Sequence, residues 1–499
     1  VARNQKKEIK RVLIANRGEI AVRVIRACRE LGIESVAIYS DADHWALHAR
    51  LADYAYRIGS PPASESYLQA NKIIQIAREA GCDAIHPGYG FLSQNPEFAE
   101  SVEKAGLVFI GPEPDSTRLM GNKLAARSTA KRQGVPTIPG VNEPVSDWKA
   151  ANAAATAIGF PVLLKAAAGG GGKGIRLVNN SAELKESFER VVSEVEKSFG
   201  DRAVFVEKFI SKAKHIEIQV IGDNQGNVVH LYERECSVQR RYQKLIEESP
   251  APILTDARRE EIGKSAVTVA KACHYRSAGT IEFIYDVEEE RYYFLEMNTR
   301  IQVEHPVTEM TTGIDLVREQ LLVASGHPLS FTQEQVRPRG AAIECRLYAE
   351  DATKNFAPSP GKIGELILPA GPGIRVDSGI SPGDVVTLHY DPMLMKLIAW
   401  GADRTQAIER MKNALRELVL AGVSTSIDFH LQALDDPRFV NGSYTTDFVK
   451  ELKDRELSPE VLEDLAVAVV LVHEDEHSRI RETMLSSESG QEERWRWQG

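Results

Sequence analysis

The spacing of apolar and polar positions divides the chain into segments of different character. Arg11-Val12-Leu13-Ile14-Ala15 reads as a strand. Glu19 to Leu31 then places Ile20, Val24, Ile25, Cys28 and Leu31 on one helical stripe, with Gly32 suited to the C-terminal cap. Ser35 to Tyr39 predicts the next strand, Tyr67 to Ala80 the next helix, and Asp83 to His86 another strand. Asn95-Pro96-Glu97 opens a further helix with good capping chemistry, and Val108-Phe109-Ile110 closes the set. Strands alternating with helices in this way predict a parallel, doubly wound sheet to about residue 121. A helix from Asn122 to Gln133, a turn region at Pro136 and Pro139, and a small α/β unit through Phe209 follow. A larger mixed domain runs from Ser211 to about Leu329. After Arg337-Pro338-Arg339-Gly340 the pattern turns strand-rich, beginning with Ala341 to Tyr348, and a helix is expected from Thr405 to Leu420. Beyond Leu452 the chain is highly charged: a short amphipathic helix, then the polar tail Ser486 to Gly499. No internal repeat is visible.

One segment departs from ordinary amphipathicity. From Tyr293 to His305 the polar residues Glu296, Asn298, Arg300, Gln302 and Glu304 occupy alternate positions, so an extended chain would point all five toward one face. The other face carries Phe294, Leu295 or Met297, Ile301 and Val303, which belong in a core. Upstream lies the apolar strand Thr280-Ile281-Glu282-Phe283-Ile284-Tyr285, separated by the polar turn Asp286 to Arg291. A hairpin centred near Glu289 would set Glu282 opposite Glu296. Two carboxylates facing each other repel. A cation between them would resolve the conflict, and oxygen ligands suit Mg²⁺ holding nucleotide phosphates. The alternative is a solvated acidic face.

A second segment points to an anion. The strand Pro161-Val162-Leu163-Leu164-Lys165 runs through Ala166 to Ala168 into Gly169, Gly170, Gly171, Gly172, Lys173 and Gly174, then into the strand Ile175-Arg176-Leu177-Val178. Consecutive glycines let backbone N–H groups turn toward phosphates. The loop lacks a G-K-[ST] ending and opens no helix, so it is neither a P-loop nor a dinucleotide fingerprint. Strand, glycine loop and strand make a hairpin tip able to close over a nucleotide; a flexible linker is the alternative. Lys165, emerging from an apolar strand, needs an anionic partner. Asn16-Arg17-Gly18-Glu19 sits at a strand-to-helix turn, either as an anion site or as a turn with a helix cap.

Bulk properties narrow the function. At 499 residues, 43% hydrophobic and 26% charged, two to four globular domains are expected. A formal net charge of -10 argues against nucleic acid as a main partner. Cys28, Cys82, Cys236, Cys273 and Cys345 are scattered and never in C-x-x-C spacing, which favours a reducing, cytoplasmic setting over disulfides or a zinc site. The run Leu465 to Val472 is too short to span a bilayer, so no membrane association is expected.

Taken together, the motifs resemble those of biotin carboxylase, a family of the ATP-grasp superfamily. The resemblance rests on Ile14 to Ala21, His86-Pro87-Gly88-Tyr89-Gly90-Phe91-Leu92-Ser93, Met120-Gly121-Asn122-Lys123, the glycine loop, His215 to Gln219, Glu235 to Arg241, Glu296 to Glu309, and Glu344-Cys345-Arg346, in family order over about residues 11–450. It implies a mixed α/β and α+β ATP-grasp architecture. Residues 1–121 would form the N-terminal domain, 122–335 the ATP-grasp domain with a lid at about 138–209, 336–452 the C-terminal domain, and 453–499 a charged extension.

The implied activity is ATP- and bicarbonate-dependent carboxylation of biotin on a carrier protein, through carboxyphosphate. By the same resemblance Lys123, Lys165, Glu207, Lys208, His215 and Gln239 would surround ATP, with Phe209, Ile210 and Val423 near its base. Glu282, Glu296 and Asn298 would serve Mg²⁺ or Mn²⁺. Lys244, Arg300, Gln302 and the backbone of Val303 would hold bicarbonate, and Glu304 would take its proton. Arg346 would stabilise the enolate-like oxygen of biotin, and Tyr89 would line the substrate site. The implied partners are a second copy in a homodimer, a biotin carboxyl carrier protein and a carboxyltransferase subunit. No biotinyl module is recognisable, so carrier and acceptor are expected on other chains. Another ATP-grasp ligase joining a carboxylate to an amine is the alternative, and a silent nucleotide-binding scaffold a third.

Four positions depart from the family pattern: Tyr242 for the usual histidine, Ala168 at the head of the glycine run, Gln94 where glutamate is common, and Met395 after Tyr390-Asp391-Pro392-Met393-Leu394. Met395-Lys396 resembles a biotin attachment site only superficially and is read as structural. His305 is expected to order its loop, and Arg17 and Arg23 to form ion pairs or subunit contacts.

Overall fold

The computed structural model describes residues 8–141, 143–166, 175–199 and 203–452. The glycine run at 169–174, Ala168, and the charged extension at 453–499 lie outside the described residues.

Strands β1 (Arg11–Ile14), β2 (Glu34–Ser40), β3 (Tyr54–Gly59), β4 (Ala84–His86) and β5 (Val108–Phe109) form one parallel sheet in the order β3-β2-β1-β4-β5. The doubly wound expectation holds. Strand β3 is a correction, because it lies at an edge with four of its six residues not buried, and so shows no apolar period. The helix expected from Tyr67 begins at Ala70. Tyr67 is instead a buried anchor whose hydroxyl donates to Asp43. One face of the sheet packs Leu13, Val36, Ile38, Ile85 and Phe109 with Phe98. The other, through Val12, Ile14 and helix α1 (Gly18–Glu30), meets Ile221, Leu231, Leu316 and Leu321.

The small unit has β6 (Val162–Ala166), β7 (Ile175–Val178) and β8 (Val204–Lys208) in the order β7-β6-β8. Lys165 pairs with Ile175, so the segment flanking the glycine run is the expected hairpin. Helices Trp148–Ile158 and Ser181–Phe199 cover it through Ala151, Ala155, Leu184 and Val191.

The remaining large strands make a single sheet. β9 (Ala213–Gly222), β10 (Val228–Arg240), β11 (Gln243–Ser249), β12 (Ser277–Asp286), β13 (Arg291–Asn298) and β14 (Ala341–Tyr348) are joined by Met393–Gly401 and Ile374–Ser378. The order is β13-β12-β9-β10-β11-β14, then those two strands. β14 has the predicted bounds, but it pairs antiparallel with β11, Ile246 opposite Cys345 and Ser249 opposite Ala342. The boundary expected at 335/336 therefore cuts a continuous sheet. Among the described residues no helix is long and apolar enough to cross a membrane, and all five cysteines are free and buried.

Candidate active site

The β12–β13 hairpin sets Glu282 directly opposite Glu296, as its sequence predicted. The register then shifts by one, and Phe283 faces Phe294. Leu295 is the extra residue, and this bulge keeps both Phe294 and Met297 in the core. The extended reading fails further on. β13 stops at Asn298, and Arg300, Gln302 and Glu304 lie in a turn leading to the helix His305–Thr312. His305 closes that turn, because its backbone N–H and its Nδ1 both meet the Gln302 carbonyl, at 3.4 and 2.7 Å. The polar side chains converge nonetheless. Asn298 Nδ2 and Gln302 Nε2 donate to Glu282 Oε1 at 2.6 and 2.8 Å, and Arg300 donates to Asn298 Oδ1 at 3.1 Å.

Lys244 on β11 joins this cluster from the neighbouring strands. Its ammonium bonds Glu217, lies 3.4 Å from Glu282, and donates to Glu304 at 2.7 Å. Burial alone would discharge the lysine, but Glu217, Glu282 and Glu304 hold its pKa well above the usual range. Glu304 accepts from Arg346 on its second oxygen at 2.8 Å, and Arg346 Nε donates to Glu247 at 2.6 Å. Burial would raise the Glu304 pKa, yet Lys244 and Arg346 outweigh burial and keep it below the ordinary carboxylate value. Glu304 is therefore a buried carboxylate, held in its charged form between two cations. His215 Nε2 lies 3.1 Å from both Glu217 and Glu282, which overcome its burial and lift it to about 10. Glu247, buried beside Arg346, is pushed up to about 7.

The other candidates fall into a second group. Glu207 on β8 accepts from Arg127 at 2.7 Å and from Lys165 at 2.5 Å, supplying the anion that Lys165 required. Lys208 Nζ donates to the carbonyls of Gly159 and Phe160, and the Phe209 N–H to Pro161. Ile210 and Val423 are half-buried, and Gln239 pairs across β10–β11 with Lys244. Lys123, largely exposed, reaches Glu296 at 3.8 Å. Tyr89 is tied by its carbonyl to Asn16 Nδ2 at 2.6 Å. The Asn16–Glu19 turn thus holds the His86–Ser93 loop, and Arg17 and Arg23 are ion-paired to Asp43 and to Glu309 and Asp315.

Sequence reasoning gave no role to Glu217, Arg234 or Arg127. Arg234, fully buried on β10, donates to Glu217, Gln219, Thr280, Gln302 and Thr308 and ties three strands to the turn. The signal was present: an arginine inside an apolar strand, facing the alternation His215-Glu217-Gln219. Among the described His, Cys, Asp and Glu side chains, the groups whose ligand atoms converge are His215–Glu217–Glu282 and Glu217–Cys236–Glu304, and neither contains Glu296.

Three family models match in chain order. They are the biotin carboxylase N-terminal domain over residues 8–117, the carbamoyl-phosphate synthase L chain ATP-binding domain over 122–332, and the biotin carboxylase C-terminal domain over 344–451. Biotin carboxylase 1 of Bacillus subtilis is 52% identical over 442 residues, covering 89% of this chain and 98% of its own. The chain belongs to the biotin carboxylase family. A pyruvate carboxylase subunit from Methanothermobacter thermautotrophicus is 50% identical, over 91% of this chain and 93% of its own. The biotin carboxylase domain dimer of Hydrogenobacter thermophilus 2-oxoglutarate carboxylase, in complex with MgADP, ADP and bicarbonate, superposes with a TM-score of 0.84. It is 48% identical and is covered over its whole length, against 90% of this chain.

Within this biotin carboxylase fold the departures from the family pattern are placed unevenly. Tyr242 is 71% exposed at the β10–β11 turn, and Gln94 accepts from Arg300 Nε at 2.9 Å. Met395 is buried, and Lys396 beside it is fully buried against Glu19 and Asp377, unlike a lysine awaiting biotin.

Proposed function

We propose that this chain carboxylates biotin held on a carrier protein, using ATP and bicarbonate, as the first half-reaction of a biotin-dependent carboxylase. The observation that carries the proposal is Glu304, buried and ionised between Lys244 and Arg346, one turn from the Glu282–Glu296 pair. Lys244 and Arg300 supply positive charge for bicarbonate, Gln302 and the Val303 backbone orient it, and Glu304 accepts its proton. The freed oxygen attacks the γ-phosphorus of ATP, ADP leaves, and carboxyphosphate forms. Its breakdown gives CO₂ and phosphate, and the phosphate takes the proton from the ureido nitrogen. That nitrogen then attacks CO₂, while Arg346 balances charge on the ureido oxygen.

Lys123, Lys165, Glu207, Lys208, His215 and Gln239 are assigned to ATP, with Phe209, Ile210 and Val423 at its base. Tyr89 is assigned to the biotin side, and Gly169 to Gly172 and Gly174 to the phosphates by the family resemblance of their sequence. The carboxylates fit a hard divalent ion: burial and the facing charge of Glu282 raise the Glu296 pKa, a conflict that added positive charge relieves. Glu282, Glu296 and Asn298 would hold Mg²⁺ or Mn²⁺, which neutralises phosphate charge when bound. Asn298 would do so through the Oδ1 that Arg300 contacts here.

We further assign a cytoplasmic location, which the free cysteines support, and a second copy in a homodimer, which the dimeric Hydrogenobacter relative supports, together with a carboxyl carrier protein and a carboxyltransferase subunit that follow from the proposed half-reaction. The test is ATP hydrolysis by the purified chain with free biotin. Turnover should require both bicarbonate and biotin, and hydrolysis indifferent to both rejects the proposal. The match of residues 122–332 to a carbamoyl-phosphate synthase domain favours, as a second reading, ligation of a carboxylate to an amine. Arg346→Ala separates the two, since an amine ligase would keep full turnover.

A further inference from the structure

Behind the Arg300–Glu304 turn lie two buried side chains that the reaction does not use. His305 Nδ1 is 2.7 Å from the Gln302 carbonyl. A carbonyl only accepts, so Nδ1 carries the proton. Lys396, on the strand paired with β14 and directly opposite Arg346, donates to the Val303 carbonyl at 2.8 Å. Both residues are fully buried. Lys396 is itself held by Glu19 at 3.3 Å, on the first turn of α1, and by Asp377 at 3.8 Å. Its anchorage therefore comes from elements separate from the turn.

The two carbonyls belong to consecutive peptides. A trans peptide is planar, with its C=O and N–H on opposite edges, so fixing one fixes the other. His305 fixes the peptide that carries the Val303 N–H, and Lys396 fixes the one that carries the Glu304 N–H. Each N–H is directed away from the side chain that pins its peptide. Neither contact can rotate freely. The imidazole is enclosed, its Nε2 lies 4.0 Å from Glu309, and nearby Lys396, Arg23 and Arg375 disfavour a second proton on the ring.

We propose that His305 and Lys396 are a positioning pair that sets the Val303 N–H for the bicarbonate oxygen, acting through the peptide rather than by touching substrate. This rests on the carboxylation reading above. It gives a buried histidine next to the base a role distinct from proton transfer.

The experiment is steady-state ATP hydrolysis with free biotin, varying bicarbonate at saturating ATP and then the reverse. His305→Phe should raise the bicarbonate KM about tenfold, the worth of one well-made hydrogen bond, while the ATP KM stays within about twofold. The donor position supplies the decisive control. Asparagine Nδ2 stands near imidazole Nδ1, whereas glutamine Nε2 stands near imidazole Nε2. His305→Asn should return the bicarbonate KM to within about threefold of the parent, and His305→Gln should not. Lys396→Gln should also raise the bicarbonate KM selectively. If His305→Phe does not fold, the Asn and Gln variants decide. Equal bicarbonate KM in those two, an unchanged value in folded His305→Phe, or a parallel rise in both KM values overturns the proposal. A parent enzyme whose ATP hydrolysis ignores bicarbonate would instead overturn the underlying reading, and this proposal with it.

Discussion

The five-stranded parallel sheet buries Val12, Leu13, Ile14, Val36, Ile38 and Ile85 at its centre, whereas the eight-stranded sheet buries Glu217, Arg234, Glu235, Glu247, Glu282, Glu344, Arg346 and Lys396. Both centres are closed to solvent, so the contrast is one of chemistry rather than of burial. Apolar burial stabilises in proportion to area. Burying ion pairs costs desolvation that their mutual attraction only partly offsets. A sheet that carries so many charges inward is organised around something other than its own stability. The charges are also linked: Lys244, Glu304, Arg346 and Glu247 form a chain of contacts that starts on β11 beside Glu282, crosses the turn to β14 and returns to β11.

Removing the cation at the head of that chain should break the comparison most sharply. Lys244→Met leaves Glu217, Glu282 and Glu304 without their shared cation, and bicarbonate-dependent turnover should fall by about 10³ or more. Unpaired buried charge should also cost about 3–5 kcal/mol of stability, read from urea unfolding. Undiminished turnover in a folded Lys244→Met would separate the charged sheet from catalysis. Glu304→Gln is gentler, because it keeps the shape and removes the proton acceptor. Turnover should drop by about 10²-fold or more, with a smaller change in unfolding free energy.

Leu13→Ala sharpens the comparison from the other side. Leu13 is fully buried in the apolar cluster of the parallel sheet, and its truncation should cost about 2–5 kcal/mol. Turnover per folded molecule should nevertheless stay within about threefold of the parent, as the lost interaction is one of packing alone. A stability loss similar to that of Lys244→Met, without its kinetic loss, is the expected signature. Matching kinetic losses would mean that the two sheets are not functionally distinct.

The two sheets also differed in how far their sequence could be read. Apolar periodicity located β1, β2, β4, β5 and α1, because a sheet covered on both faces needs continuous apolar strands. It missed β3, an edge strand with few buried residues. In the charged sheet the bounds of β14 were legible, as was the Glu282–Glu296 pairing. The same alternation misled from Arg300 onward, since a turn closed by His305 can gather alternate side chains as well as a strand can. Arg234 and Glu217 escaped for a different reason. Each is a single residue whose partners lie on other strands, and local pattern carries no record of cross-strand neighbours. Long-range charge pairing therefore set the limit, while the family resemblance supplied the roles that local chemistry left open.

Histidine titration offers the finest test, because the two regions shift the same side chain in opposite directions. Burial pushes His48 and His86, beside the parallel sheet, down to about 4. A histidine depressed in the folded state contributes stability above its unfolded pKa, near 6.5, and loses it as pH falls toward 4. His215 in the charged sheet is the reverse case. Glu282 and Glu217 overcome its burial and raise it to about 10, so its contribution is complete below about 6.5 and disappears as pH rises to 10. Urea unfolding of the ligand-free chain between pH 4 and 10 should show both limbs, each histidine adding at most about 1.4 kcal/mol per pH unit. His215→Gln should flatten the alkaline limb and leave the acid one, whereas His48→Gln should reduce the acid limb by its own share, leaving that of His86, and spare the alkaline limb. Should His215→Gln keep the alkaline slope of the parent, the imidazolium between Glu217 and Glu282 is not the group that titrates. The positive charge at the head of the cluster would then have to come from Lys244 alone.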